Sequence, residues 1–317
     1  MGNRANYIVV ADGDWTLYYS HWGAIGLEFD LLPGPAAATR HIRAQEAMRS
    51  DRSGWMDNDW CEGGALIDLD RRVALVFWLR TDPAERAAAL AVLARTWPGW
   101  RVDWAYGGLA DLAEYVGVDP EAVRHRHEPR APQASETDWV SCLVTVTDPA
   151  GTRVYGLVGT DIEDVARLGP GVLTQLPDDA LIDACATTPM RGCHLDFTTR
   201  RAGAWTTEAC VEPFERTCAD WTGWRWEWWA DDYERHVAQV AGSVSIPPLD
   251  VNRALHTLPA RLDRHRTHDP VANARIALAK LAEYGDIEIG ASVFQHHSVG
   301  MTDDEYRAVL AVIDELG

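Results

Sequence analysis

The stretches TWPGWRVDWAYGG (96–108) and DWTGWRWEWWADD (220–232) carry one pattern, Trp-x-Gly-Trp-x-x-x-Trp, twice, 124 positions apart. The chain has 15 tryptophans, and eight of them lie in these two stretches, so the pattern is where its reading begins. Each stretch follows a helical run, AERAAALAVLARTW or CVEPFERTCADW, that a Gly turn stops. Each then enters a short alternating run, with Trp100, Val102 and Trp104, or Trp224, Trp226 and Trp228, on one face. The spacing predicts a helix, a Gly turn and a strand in both places, with Trp100, Trp104, Trp224 and Trp228 as core residues between helix and sheet.

Outward from that motif, both copies repeat the same order of signals. YIVV (7–10), a turn at Asp12-Gly13 and WTLYYSHW (15–22) predict a hairpin, and AAATRHIRAQEAM predicts a helix after Pro33-Gly34-Pro35. A second hairpin, GGALIDLD (63–70) and VALVFWL (73–79), bends at Arg71-Arg72. Asp82-Pro83 opens the helix that leads to Trp97, and GLADLAEYVG closes the unit. The second copy reads CLVTVT, DPAG and TRVYGLVG for its hairpin and PDDALIDACA for its helix. HLDFTTRRAGAWT follows, with Asp196 on Asp68 and Arg200-Arg201 on Arg71-Arg72; DDYERHVAQVAG closes. The offset slides from 136 (Asp12 to Asp148) to 128 and 124, as small deletions produce.

The expected fold is therefore α+β: a duplicated hairpin–helix–hairpin–helix–strand–helix unit with antiparallel or mixed sheets. Its parts are a first repeat at 1–119, a Pro- and charge-rich linker at 120–137, a second repeat at 138–242 and a mainly helical segment at 243–317. In that last segment LDVNRALHTLPARLDR, the Asp269-Pro270 cap with VANARIALAKLAEYG, and the capping box Thr302–Glu305 predict helices, and DIEIGASVF a strand. The segment is expected to pack on both repeats.

Net charge is −19, spread as −5 over 1–117, −1 over 118–137, −9 over 138–242 and −4 over 243–317. A surface acidic everywhere repels phosphate backbones and anionic lipid and attracts basic partners. No nucleic-acid or membrane partner is expected. The single lysine, Lys280, excludes a Walker A loop. Six cysteines without a Cys-x-x-Cys pair read as reduced thiols in a cytoplasmic protein, with no leader or spanning segment.

Catalytic signatures are sparse. No Gly-x-Ser-x-Gly occurs, and Cys61 before Glu62-Gly63-Gly64 is the best-placed thiol, though a buried cysteine beside a hairpin is the commoner case. Asp68 and Asp70 beside the Arg71-Arg72 bend fit turn ion pairs better than acid–base work. The pairs His125/His127, His265/His268 and His296/His297 fit no known metal framework, so no metal and no cofactor is expected.

What both copies keep, the shared fold needs; what one copy alone elaborates is free for function. That comparison singles out Tyr18, Tyr19, His21, Trp22, Trp60 and Glu62 in the first copy, and Trp226 and Trp229 in the second, as binding residues. Acidity and surplus aromatics together predict a non-catalytic binding protein that neutralises or scaffolds a basic protein, as immunity proteins do. The alternatives are a small-molecule binder that stacks a flat aromatic ligand in a cleft between the repeats, or an enzyme using His21 with Glu62 or Asp68 there.

Overall fold

The computed structural model describes residues 3–48, 54–79, 81–125, 128–137, 139–210, 218–240, 242–281, 290–294 and 299–317. The chain forms two compact units, one made of 1–125 with 251–317 and the other of 126–250. Among the described residues no helix is long and apolar enough to cross a membrane.

In the first unit β1 (Arg4–Ala11) and β2 (Asp14–Ser20) form the first hairpin, and α1 (Leu27–Leu31) and α2 (Pro35–Arg43) follow. After β3 (Glu46–Ala47) come the hairpin β4 (Cys61–Asp68) and β5 (Val73–Trp78), α3 (Pro83–Thr96), β6 (Arg101–Trp104) and α4 (Leu109–Tyr115). The second unit contains β7 (Gln133–Ala134), the hairpin β8 (Cys142–Asp148) and β9 (Gly151–Val158), and α5 (Ile162–Arg167). It continues with the hairpin β10 (Arg191–Asp196) and β11 (Arg201–Thr206), β12 (Arg225–Trp228) and α6 (Tyr233–Gln239). Each unit has a mixed six-stranded sheet, in the order β3-β2-β1-β4-β5-β6 and β7-β9-β8-β10-β11-β12. The fold is α+β with an internal duplication.

Hydrogen bonds fix the equivalences residue by residue. Arg101 N bonds to Arg72 O as Arg225 N bonds to Arg200 O, each at 2.9 Å, and Trp100 N bonds to Trp97 O as Trp224 N bonds to Trp221 O. Trp104 and Trp228 each end the strand that follows, as the motif requires. Gly99 and Gly223 both sit at φ +78°, a left-handed turn that a side chain strains, which is why the motif keeps them. Two sequence alignments shift by one residue. The first hairpins close at Ala11–Asp14 and Asp148–Gly151, so Asp148 matches Ala11 rather than Asp12. The second hairpins close at Asp68–Val73 and Asp196–Arg201, and the positive-φ residues Arg72 and Arg200 coincide, so Arg201 matches Val73.

Of the indoles common to both motifs, Trp97 and Trp221 are the buried pair, each 2% exposed, whereas Trp100, Trp104, Trp224 and Trp228 are half-buried. Both buried rings plug the same place: Trp97 Nε1 donates to Leu31 O at the end of α1 (3.0 Å), and Trp221 Nε1 to Ala166 O in α5 (2.5 Å). The helix expected over PDDALIDACA (177–186) does not form. Asp178–Ala180 make one 3-10 turn, and the chain then lies along β9, with Ile182 N on Val154 O and Cys185 N on Ser245 O. Neighbouring backbone satisfies these N–H groups, which removes the drive for a helix. The helix of that region is α5, immediately after the hairpin.

The stretch 120–137 is more than a linker. Pro120–Ala122 form a 3-10 turn against α4, and Gln133–Ala134 give the second sheet its edge strand. Residues 251–317 belong to the first unit: α7 (Val251–Thr267), α8 (Pro270–Leu281) and α9 (Asp303–Leu316) lie there, and Leu255, Leu258, Leu262, Val309 and Ile313 enter its core. Asp269 and the Thr302–Glu305 capping box cap α8 and α9 as expected. Ala291–Phe294 form a 3-10 turn rather than a strand; the start of that expected strand, and most of the expected helix 210–221, lie outside the described residues.

Candidate functional sites

Strand β2 ends at Ser20, so His21 and Trp22 sit in the bend beyond it rather than in its alternation. Tyr19 Oη lies 3.0 Å from His21 Nδ1, and the His21 and Trp22 rings meet edge to face at 4.9 Å. These three form one aromatic cluster, in which Trp22 Nε1 donates to Val293 O at 3.0 Å. Tyr18 points the other way, opposite Tyr7, and packs on the first unit's core. Trp60 is 58% exposed with the Arg4 guanidinium 4.8 Å over its ring, and Glu62 is half-buried in β4.

The two second-copy indoles are packing residues. Trp226 meets Trp221 edge to face at 5.1 Å against the second unit's core. Trp229, 6% exposed, lies flat over Gly203, where the absent side chain leaves room for it. The equivalent positions in the first unit hold Leu75 and Ala105, since Ala105 N bonds to Val76 O as Trp229 N bonds to Ala204 O. The surplus indole therefore fills space that the other copy fills from the strand.

A pocket of about 170 Å³ in the first unit is lined by Trp22, Ser20, Asp30, His41, Gln45 and His265, among others. Asp30, on α1, accepts from His265 Nε2 at 3.0 Å and stands 3.6 Å from His41 Nε2. Burial opposes charge on His265, but the Asp30 carboxylate, through its charge and its hydrogen bond, and then Glu28, outweigh it and raise the pKa. The His265–Asp30 pair thus strengthens as the imidazole charges: its contribution is full below the ordinary histidine value and is lost as pH rises through the raised one. Trp22, marked by the sequence, reaches this pocket. His265 was marked only as a histidine near His268, because Asp30 lies 235 residues away.

The remaining chemical candidates resolve into structure. Cys61 is buried, its thiol donating to Gly63 O, and burial pushes its pKa up to about 12; Cys142 behaves alike. Neither thiol is a nucleophile in the folded protein at neutral pH, so thiol reagents are expected to label both only on unfolding. Fast labelling of native protein would contradict the burial. Asp68 accepts from Asp70 N, Arg71 N and Tyr115 Oη, and Asp196 from Thr198 and Thr199, so both close hairpins. His125 pairs with Asp59, while His127, His296 and His297 lie outside the described residues. Among the described residues no group of three or more His, Cys, Asp or Glu is placed to hold a metal ion.

A groove in the second unit escaped the sequence reading. About 320 Å³ in volume, it runs between Ser135, Thr137 and Val140 on one side and 179–186 on the other, with Gly156 at its floor. Asp179 lines it, and the exposed Trp139 and Leu181 (each 49%) and the exposed Glu136, Asp178 and Asp183 adjoin its lining residues in sequence. Its unit, 126–250, carries a net charge of −10 against −9 for the larger unit. Comparison with known protein families, with curated proteins and with solved structures finds no match.

Proposed function

We propose that this is a non-catalytic acidic binding protein that neutralises or scaffolds a basic protein partner, in the manner of an immunity protein, through the second unit's groove. The observation that supports this reading is a concavity lined by Val140, Ala180, Ile182 and Asp179, next in sequence to the exposed Trp139 and Leu181 and to the exposed carboxylates of Glu136, Asp178 and Asp183. Apolar side chains left open on a surface favour a covering partner, and a carboxylate rim selects a basic one. Partner residues suited to it are an aliphatic or aromatic anchor flanked by arginines or lysines.

Titration with arginine-rich peptides containing one Leu or Phe, against matched acidic peptides, tests the reading. Binding to the basic set is expected to weaken at least tenfold between 50 and 200 mM salt, because the rim charges are screened over about 8–10 Å. Trp139→Ala should weaken it about tenfold, roughly 1.4 kcal/mol, with an unchanged melting temperature. Equal binding of acidic peptides, or indifference to Trp139→Ala, would sink it.

A second reading rests on the Trp22–Asp30–His265 pocket. At about 170 Å³ it lies below the 300–1,000 Å³ of a drug-sized site, so it suits a small polar molecule better than a flat aromatic one. A thermal-shift screen of small polar compounds with wild type and Asp30→Asn separates the two: only a pocket ligand loses its effect in the variant.

A further inference from the structure

On the sheet face beneath α6, the second unit carries a chain of hydrogen bonds whose direction Trp205 fixes as far as Thr145. Trp205 Nε1, which can only donate, lies 2.9 Å from His236 Nδ1. His236 Nδ1 must therefore accept, and the neutral ring keeps its proton on Nε2, which donates to Thr145 Oγ1 at 2.7 Å. The Thr145 hydroxyl reaches His194 Nδ1 at 2.9 Å and Cys193 O at 3.5 Å, and the shorter bond links the second imidazole to the chain. All four residues are buried. A proton added to His236 Nδ1 would face the indole N–H, two donors with no acceptor between them.

The duplicate shows what this chain replaces. Thr145 pairs with His194 as Ile8 pairs with Leu66, and Gly192 with Trp205 as Gly64 with Phe77. A Cβ at Gly64 would meet Phe77 at 2.6 Å and Leu112 at 3.0 Å; one at Gly192 would meet Trp205 at 2.9 Å and His236 at 3.0 Å. Ile8, Leu66, Phe77 and Leu112, all buried, therefore occupy the positions of Thr145, His194, Trp205 and His236. One fold thus builds the same spot either as an apolar core or as a polar chain. The polar version adds nothing the fold needs, and it makes the spot sensitive to protons.

We propose that the Trp205–His236–Thr145–His194 chain is an acid-sensitive latch that holds α6 on the second sheet while both imidazoles are neutral and releases it in acid. The groups facing His236 are Thr145 from β8, His194 from β10, Trp205 from β11 and Trp229 beyond β12; Arg235, on its own helix, lies over the Trp229 ring. Burial, then the nearby His194, lowers His236 to about 3, and burial lowers His194 although Asp196 opposes this. Folded pKa values below the unfolded one mean that stability is full above about pH 6.5 and falls as pH drops from there. Each histidine costs up to tenfold in the folded population per pH unit across that window. Val240, just past α6, packs in one cluster with Cys185 and Ile182, which line the groove. Loss of a basic partner in acid would follow, a corollary that rests on the proposed function, whereas the latch does not.

Hydrogen exchange read by mass spectrometry on the whole chain without partner tests the latch, with α4 as the internal standard. After correction for intrinsic rates, protection over 233–239 should fall at least tenfold between pH 6.5 and 4.5 while that over 109–115 holds. Exchanging the chain for the first unit's residues (Thr145→Ile, His194→Leu, Trp205→Phe, His236→Leu) should abolish the difference. Should that variant not fold, His236→Gln, neutral at every pH used, should shrink it. Parallel loss in both helices, or an unchanged step in a folded variant, would overturn the latch. So would His236 titrating near 6.5 in wild type with α6 still protected.

Discussion

Trp97→Ala and Trp221→Ala are expected to cost about 3–5 kcal/mol each in denaturant unfolding, far more than truncation of the half-buried tryptophans that follow them. Trp97 follows α3 and Trp221 the 3-10 turn Cys218–Asp220, each just before the chain turns into a strand, and both are 2% exposed. Truncation opens a cavity and also leaves the carbonyl of Leu31 or Ala166 without its indole donor, so two penalties add. Truncation also removes ring contacts: Trp100 meets Trp97 edge to face at 5.1 Å, and Trp224 and Trp226 meet Trp221 at 4.7 and 5.1 Å. Trp104→Ala and Trp228→Ala, at half-buried positions, should cost about 1–2 kcal/mol. A Trp97→Ala loss no greater than that of Trp104→Ala would mean that the plug has been assigned to the wrong indole.

Gly203→Ala should destabilise the second unit by about 2–4 kcal/mol, although it adds one methyl group in a strand. A Cβ at Gly203 would overlap the six-membered ring of Trp229, so the indole must leave its seat and its guanidinium neighbour, Arg235. Trp229→Ala alone should cost about 3–5 kcal/mol through the cavity it leaves. The double change Gly203→Leu with Trp229→Ala restores the first unit's pairing of Leu75 with Ala105. It should therefore cost well below the sum of the single changes, because residues in contact do not add. Additive losses would show that the two positions do not share one space.

The duplication was legible because the two copies keep the residues that a helix, a left-handed turn and a strand demand in succession. Which tryptophan plugs the core was not. Alternation favoured Trp100 and Trp104, and Trp97, in the connection between elements, belongs to no period. The same limit hid the sites. Val140, Gly156 and Ile182 of the groove come from separate segments, and Asp30 finds His265 only through the packing of α1 and α7. Thr145, His194, Trp205 and His236 each read as an unremarkable strand or helix residue, and their meeting follows only from the register of the second sheet and the packing of α6 on it. The difference between the copies marks Trp229 as surplus, but the room for it comes from Gly203 on the neighbouring strand, which only the register reveals.

A chain that contains one fold twice risks crossed assembly, in which a strand of one copy docks in the other's sheet while both are forming. The exchanged volumes at Gly203 with Trp229 and Leu75 with Ala105 guard against it. Were β11 to take the place of β5, Gly203 would bring no side chain and Ala105 only a methyl group in place of the indole, leaving a void. Were β10 to pair with β1, His194 would lie beside Ile8 with no hydroxyl to meet its ring nitrogen, a buried polar group left unsatisfied. Each mispairing thus carries a built-in penalty, and the divergence of the two cores lets each half of the chain recognise its own strands during folding.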